Sequence, residues 1–346
     1  MVPRGEFARQ AEVARALGSP FVAAVLEAGQ RQLARAPRTA QLVETWPVDP
    51  SAAALAMRFN AAIHALARRH AFGPLAALYS GEHNDFDGAI GEALAAEDAF
   101  VEAWMRDTPQ TNEVGRAAAI AAALMVVRNR FGLPFSLLEL GSSCGLNLNL
   151  AHYTYDLGGL LAGATGSAIQ IAPIWSGPPP PFAPIEVLCA RGTDLNPLKA
   201  SDDATRDRLL AFVWADQPKR ARRLEQALAF ARLHPPEIAR SHADTWLAAA
   251  LATPQDHGVC RVVFHSMVLQ YMSPQERGNV LAAIEQAGAA ATAERPLARI
   301  SFEWTPTRGE VQLQLTCWPG ARTDVLATCH AYGDWIDWRG PCADTR

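Results

Sequence analysis

The chain reads as an α/β protein whose mostly parallel sheet follows an all-helical N-terminal region. Three observations predict this. Roughly the first hundred residues carry helical spacing, and no period-2 strand occurs before about residue 135. From there short apolar runs alternate with amphipathic segments, the pattern of parallel strands joined by right-handed crossovers. The last two runs have only a short connection, which suits an antiparallel pair at one edge. The boundary falls at 115/116, giving a helical domain 1–115 and an α/β domain 116–346.

In the helical region, "SPFVAAVLEAGQRQLARA" starts with Ser19 as a cap and Pro20 in the first turn. "DPSAAALAMRFNAAIHALARRH" aligns Leu55, Phe59, Ile63 and Leu66 on one stripe, and "FGPLAALYS" follows, with Gly73-Pro74 and Gly81 as breakers. The first strand is "FSLLEL". Later strands are expected in "IEVLCARGTD", "EIARSHAD", "CRVVFHS", "ARISFEW", "EVQLQLTCW" and "TDVLATCHAY". Helices fill the gaps at "RDRLLAFVWADQPKRARRLEQALAFARLH", "DTWLAAALA" and "SPQERGNVLAAIEQAGAA". Between the first two strands lies an insertion at about 157–184. Its proline run, Pro178 to Pro181, predicts an extended polyproline stretch, either a surface excursion or a lid.

Composition excludes several classes. The 346 residues carry 31 Lys+Arg against 35 Asp+Glu, a formal charge of −4, so the basic excess of a nucleic-acid binder is missing. Six cysteines (144, 189, 260, 317, 329 and 342) form no C-x-x-C pair, so neither a disulfide framework nor a metal is implied. The longest apolar run, Ala117 to Val127, is bounded by Arg116 and Arg128. It is shorter than the roughly 20 residues that span a bilayer. With Arg4, Glu6 and Arg9 in place of an apolar leader, a cytoplasmic protein without a membrane partner is expected. The cluster Lys219, Arg220, Arg222 and Arg223 is read as a solvated helix face.

The stretch "LLELGSSCGLNLNL" holds the central question. Gly141-Ser142-Ser143-Cys144-Gly145 spells G-x-S-x-G, the nucleophile elbow of serine hydrolases, with Asp194, Asp244, His265 and His330 as candidate partners of Ser143. The same residues also read as strand, acid (Glu139) and a glycine-bounded turn opening a helix, the usual cradle of a nucleotide-like ligand. The turn follows the first strand rather than a later one, and no oxyanion loop precedes it, which favours the cradle. "RGTDLNPL" then puts Asp194 and Asn196 at the second strand end, where an acid bonds ribose hydroxyls. "SHADTWL" puts Asp244 at the third, beside an adenine edge. Neither a strict G-x-G-x-x-G nor a G-K-[ST] is present. Glu139 would repel a diphosphate but hold an ammonium, so S-adenosylmethionine is the expected cofactor.

"LLELGSSCGLNLNLAHYTYDLGG", "RGTDLNPL", "VWADQPKRARRLEQAL", "VVFHSMVLQYMS", "TNEVGR" and "HAYGDWIDW" together resemble a bacterial family of unknown function, over nearly the whole chain. Its C-terminal two-thirds is similar in turn to class I S-adenosylmethionine-dependent methyltransferases. That likeness implies a Rossmann-like, seven-stranded sheet with an antiparallel last strand. It places Glu139, Gly141 and Gly145 in the cofactor motif, with Ser143 where glycine is usual. Asn147 joins that set, Asp194 goes to the ribose and Asp244 goes near the adenine. The Asn-Pro-Pro-Tyr type motif of amino-methylating enzymes is missing after the fourth strand.

Methyl transfer asks the protein to align an acceptor and, where needed, to remove a proton. His265 is the candidate base, Tyr271 an orienting group, and Glu303 an acid at the mouth of the pocket. Arg116 in "TNEVGR" offers a bidentate donor for a cofactor or substrate carboxylate, with Asn112 a candidate substrate contact beside it, and Asn112 and Glu113 equally suit helix capping. His330 and Trp335 are candidates for a substrate wall. The expected function is methyl transfer to a small molecule. The alternatives are a non-catalytic protein that keeps the fold for cofactor sensing or partner binding, and a hydrolase using Ser143.

Overall fold

A computed structural model describes residues 5–342 apart from 52, 70, 71 and 108. Six helices come first: α1 (Glu6–Ala16), α2 (Pro20–Gln32), α3 (Pro37–Glu44), α4 (Leu55–Arg68), α5 (Gly73–Ser80) and α6 (Phe86–Arg106). Their alanine-rich stripes bury Leu26, Leu55, Phe59, Ile63, Leu66 and Leu94 completely or nearly so. The expected helix in "DPSAAALAMRFNAAIHALARRH" forms as α4; Ala52 and His70 of that stretch, like Arg4, lie outside the described residues. Pro20 occupies the first turn of α2 as expected, but Ser19 does not cap it. The Ser19 hydroxyl donates to Asp216 at 2.6 Å, and that carboxylate also accepts from Phe21 N–H at 3.3 Å. A charged acceptor outcompetes the serine's own cap.

α7 (Ala117–Phe131) is buried along nearly its whole length and leads into β1 (Phe135–Leu140). Next come β2 (Thr154–Leu157), β3 (Leu160–Gly163), β4 (Gln170–Ile171), β5 (Ile174–Ser176) and β6 (Val187–Asp194). After α8 (Asp203–Phe212) and α9 (Pro218–Leu233) follow β7 (Glu237–Arg240), α10 (Ala243–Ala252), β8 (Cys260–Ser266) and α11 (Pro274–Ala289). The chain finishes with β9 (Leu297–Trp304), β10 (Val311–Trp318), β11 (Arg322–Cys329) and β12 (Trp335–Trp338).

Two compact units emerge. One holds residues up to 111 with 203–222; the other holds 112–202 with the residues from 223 onward. The second unit contains a nine-stranded sheet ordered β5-β12-β11-β10-β9-β8-β1-β6-β7. Its parallel stretch, β7-β6-β1-β8-β9, is the order 3-2-1-4-5 of doubly wound sheets. β1 and β8 are central and buried on both faces, which is why they read as continuous apolar runs rather than alternating ones. One face packs Leu138, Leu140 and Val263 against Leu247 of α10 and Ile284 of α11.

The sheet departs from seven strands with one antiparallel edge. β9, β10, β11 and β12 form an antiparallel meander, and β5 joins β12 in parallel. β5 comes from the insertion, whose β3 and β4 also flank β2 in a small three-stranded sheet. The insertion therefore supplies an edge of the main sheet. Strands of two to four residues carry too little periodicity to be read from sequence. Pro178–Pro181 has no regular element, and it is tied back through Trp175 Nε1–H to Pro178 O at 3.0 Å. Among the described residues, no helix is long and apolar enough to cross a membrane.

Candidate functional site

In an open sheet of this order, β1 and β8 flank the switch point, and the carboxyl ends of the strands there form a crevice. β1 delivers Glu139 and then the turn 141–145. Gly141, Ser143 and Gly145 all take left-handed backbone, with φ of +70°, +54° and +70°. A Cβ on Gly141 would sit 2.3 Å from Val268 Cγ2, so the loop after β8 packs directly on the turn. Ser143 stands in a conformation costly for a non-glycine residue, by about 1 kcal/mol. Its N–H is held by Asp194 Oδ2 at 2.8 Å.

Every backbone N–H from Gly141 to Leu146 has an acceptor. Those of Gly141 and Ser142 donate to Thr193 O, that of Ser143 to Asp194, and that of Gly145 to Ser142 O. The N–H groups of Cys144 and Leu146 both donate to Asn112 Oδ1 at 3.2 Å. Asn112 was expected to contact substrate or cap a helix; its side-chain oxygen, at a residue with φ +36°, is taken up in bracing this turn. Asp194 Oδ1 accepts from Asn196 N–H at 2.8 Å, so both of its oxygens touch backbone, and Asn196 itself is exposed. A carboxylate has room for about four hydrogen bonds, so acceptor capacity remains at Asp194.

Glu139 is the exception to this saturation. It is buried, its Oε2 has no hydrogen-bond partner, and desolvation pushes its carboxyl well above the ordinary 4.5. Asp194 nearby adds to the upward shift. Asn147, also buried, donates weakly to Glu113 O at 3.5 Å and keeps an unpartnered Oδ1.

His265 lies on the opposite face of the sheet from Glu139, in register with Leu140. It is completely buried. Arg299 Nε–H donates to its Nε2 at 3.2 Å, which puts the ring proton on Nδ1, and Nδ1 donates to Glu303 Oε1 at 2.8 Å. Burial lowers its pKa, so the ring is neutral. The general base expected here needs an open nitrogen, and both nitrogens are committed. Glu303 Oε1 also accepts from Val268 and Leu269 N–H, which fixes the loop that carries the exposed Tyr271.

"TNEVGR" forms the other wall. Glu113 pairs with Arg223 at 3.0 Å and accepts from Gly115 N–H. Arg116, only 7% exposed, donates to Ala331 O at 2.9 Å and to Ser266 O at 3.4 Å. His330 Nδ1 lies 3.1 Å from Asp334 Oδ2 without hydrogen-bond geometry. Trp335 is half exposed beside it, with ring centroids 6.1 Å apart. Asp244 is engaged elsewhere: Asn279 of α11 donates to it at 2.9 Å, and with Thr245 holds its carboxyl below the ordinary value.

Arg223 and Arg299 carry weight that the sequence reading missed. The basic cluster does not form one solvated face: Lys219 and Arg222 are exposed, but Arg220 and Arg223 turn inward, three residues apart on α9. That i,i+3 spacing toward Leu224 and Ala227 is the signal that identifies them.

Two predictions follow from this geometry. Gly141→Ala meets both a positive φ and Val268, and should lower stability by about 2–4 kcal/mol in guanidinium unfolding; a loss below about 0.5 kcal/mol would contradict the close approach. Because the native Glu139 carboxyl holds a proton that the unfolded chain releases, its contribution falls as pH rises above 4.5 toward the folded value. Glu139→Gln should therefore gain stability over the parent more at about pH 8 than at about pH 5. A pH-independent difference would mean that the acid is ionised in the fold.

No curated protein and no solved structure matches the chain. A family model described as an uncharacterised protein conserved in bacteria, DUF2332, matches residues 4–338. With that match spanning almost its whole length, the chain belongs to the DUF2332 family.

Proposed function

We propose that the unit built on the nine-stranded sheet binds S-adenosylmethionine at the carboxyl ends of β1 and β6 and methylates a small molecule. The observation that carries this reading is a turn with no N–H left for an anion, set beside a buried acid with one carboxyl oxygen unpartnered. Since every N–H from Gly141 to Leu146 is taken, a diphosphate would find no donors there. Glu139 Oε2 instead calls for a cation. An amino-acid ammonium supplies one, and Asp194 at the end of β6 retains capacity for ribose hydroxyls. The 3-2-1-4-5 order supports a class I methyltransferase relationship, with the meander in place of the usual closing strands.

The cofactor would supply a methyl group activated by its sulfonium. The chain's own part would be to hold the ammonium at Glu139, align the acceptor at the β8–β9 side, and exclude water. His265 fixes Glu303 and the loop after β8 and takes no proton from the substrate. A second reading, a non-catalytic protein that senses the cofactor or binds a partner, draws on that same sealed ring. The hydrolase reading loses support, because His265 is closed and Asp194 holds the backbone.

Calorimetry with S-adenosylhomocysteine tests the proposal. Binding is expected with proton release, since the ammonium would ionise Glu139, and affinity should rise with pH. Asp194→Ala should weaken it by roughly 10-fold or more. No heat at millimolar ligand would overturn the reading. Binding without turnover over a broad acceptor panel would favour the sensor.

A further inference from the structure

Arg116 is a charge that the fold leaves without a contacting carboxylate. It occupies the N-cap position of α7, where the helix dipole opposes a cation, and it is almost wholly buried. Its hydrogen bonds go to two carbonyls, Ala331 O and Ser266 O, and its guanidinium lies 5.9 Å from the centre of the Phe302 ring. Among the described residues no carboxylate lies within 4.0 Å of it. The acids around it have nearer partners. Glu113 is paired with Arg223 at 3.0 Å. Glu303 takes His265 and two backbone N–H groups. Asp334 sits 3.1 Å from His330 and 4.0 Å from Arg223. Burial lowers the pKa of Arg116, and only the more distant Glu113, Tyr332, Tyr271 and Glu303 offset this.

A buried guanidinium without an anion is costly unless something supplies one. Two further orphaned atoms lie in the same wall: Arg223 Nε and His330 Nδ1 both lack a hydrogen-bond partner. Position assigns the missing anion to one half of the crevice. Arg116 touches the end of β8, the ring of Phe302 on β9 and the segment after β11. Glu139 and Asp194, the donor-side acids, end β1 and β6.

The geometry points to Arg116 as the receptor for a carboxylate on the methyl acceptor, so that the substrate is a small organic acid. This rests on the methyltransferase reading for the word acceptor, but not for the anion site itself. A carboxylate there would complete the charge of Arg116 and reach the wall formed by His330 and Arg223. Arginine suits the task, because its planar fork pairs bidentately with a carboxylate.

The test uses the full chain, with benzoate, phenylacetate and hexanoate as probes against their uncharged amides, at constant ionic strength. Thermal shift and calorimetry should show the acids binding at least about 10-fold more tightly than the amides. Arg116→Gln should abolish that preference, and Arg116→Lys should keep part of it. Should Arg116→Gln not fold, the acid–amide comparison on the parent and the lysine variant still decide. Equal binding of acids and amides, or an acid preference unchanged in both variants, would overturn the proposal. S-adenosylhomocysteine and 5′-methylthioadenosine separate the two possible sources of the carboxylate. If Arg116 substitutions weaken only the former, the carboxylate belongs to the donor and the acceptor assignment falls. If the parent prefers acids yet binds neither nucleoside, the anion site stands and the methyltransferase reading fails.

Discussion

The side-chain oxygen of Asn112 accepts from the N–H groups of Cys144 and Leu146, and the carboxyl edge of the sheet is organised around that bond. A left-handed turn such as 141–145 exposes its amides, and buried amides without acceptors are expensive. Asn112 takes two of them and Asp194 a third. The neighbouring residues extend the brace. Glu113 anchors Arg223 and Asn147, while Arg116 binds the segments after β8 and β11. Gly115 makes this possible by its size: a Cβ there would lie 2.5 Å from Tyr332 O and 2.6 Å from Arg223 Nη2. The segment 112–116 thus ties together the turn after β1, α9 and the segments after β8 and β11.

Charge is distributed unevenly over this frame. On one face, Arg299, His265 and Glu303 form a closed line in which each donor has its acceptor, and the histidine is neutral. Such a line holds the loop after β8 rigid, and that loop in turn presses Val268 onto Gly141. On the other face, Glu139 is buried with an oxygen unsatisfied, and across the crevice Arg116 has only carbonyls. Native proteins leave few such groups, so an unsatisfied acid and a cation held only by carbonyls at one switch point are more informative than the saturated turn between them.

Much of the architecture was legible in the chain. Strands of six to eight residues, such as "FSLLEL" and "EVQLQLTCW", carry enough apolar pattern to stand out, as does the change from helical to alternating elements. The turn was legible too, because glycines at 141 and 145 announce positive φ. β5 and β12 were not, since three or four residues cannot display a period and owe their strand form to the strands they pair with. Roles failed where they depended on partners far along the chain. His265 looked like a base from its place at a strand end, but Arg299 and Glu303 on the adjacent strand close it. Arg223 looked solvated within a basic run until its helix faced Glu113.

By itself, then, the sequence determined the order of elements, the parallel core and the position of the glycine-bounded turn, because local periodicity and backbone restriction act over a few residues. Only the tertiary structure decided which polar groups are satisfied and which are left waiting. Hydrogen bonding and desolvation depend on what distant segments bring within about 3 Å. That is how Asn112 became a brace, how Glu139 came to be buried with an unpartnered oxygen, and how Arg116 came to be buried against carbonyls.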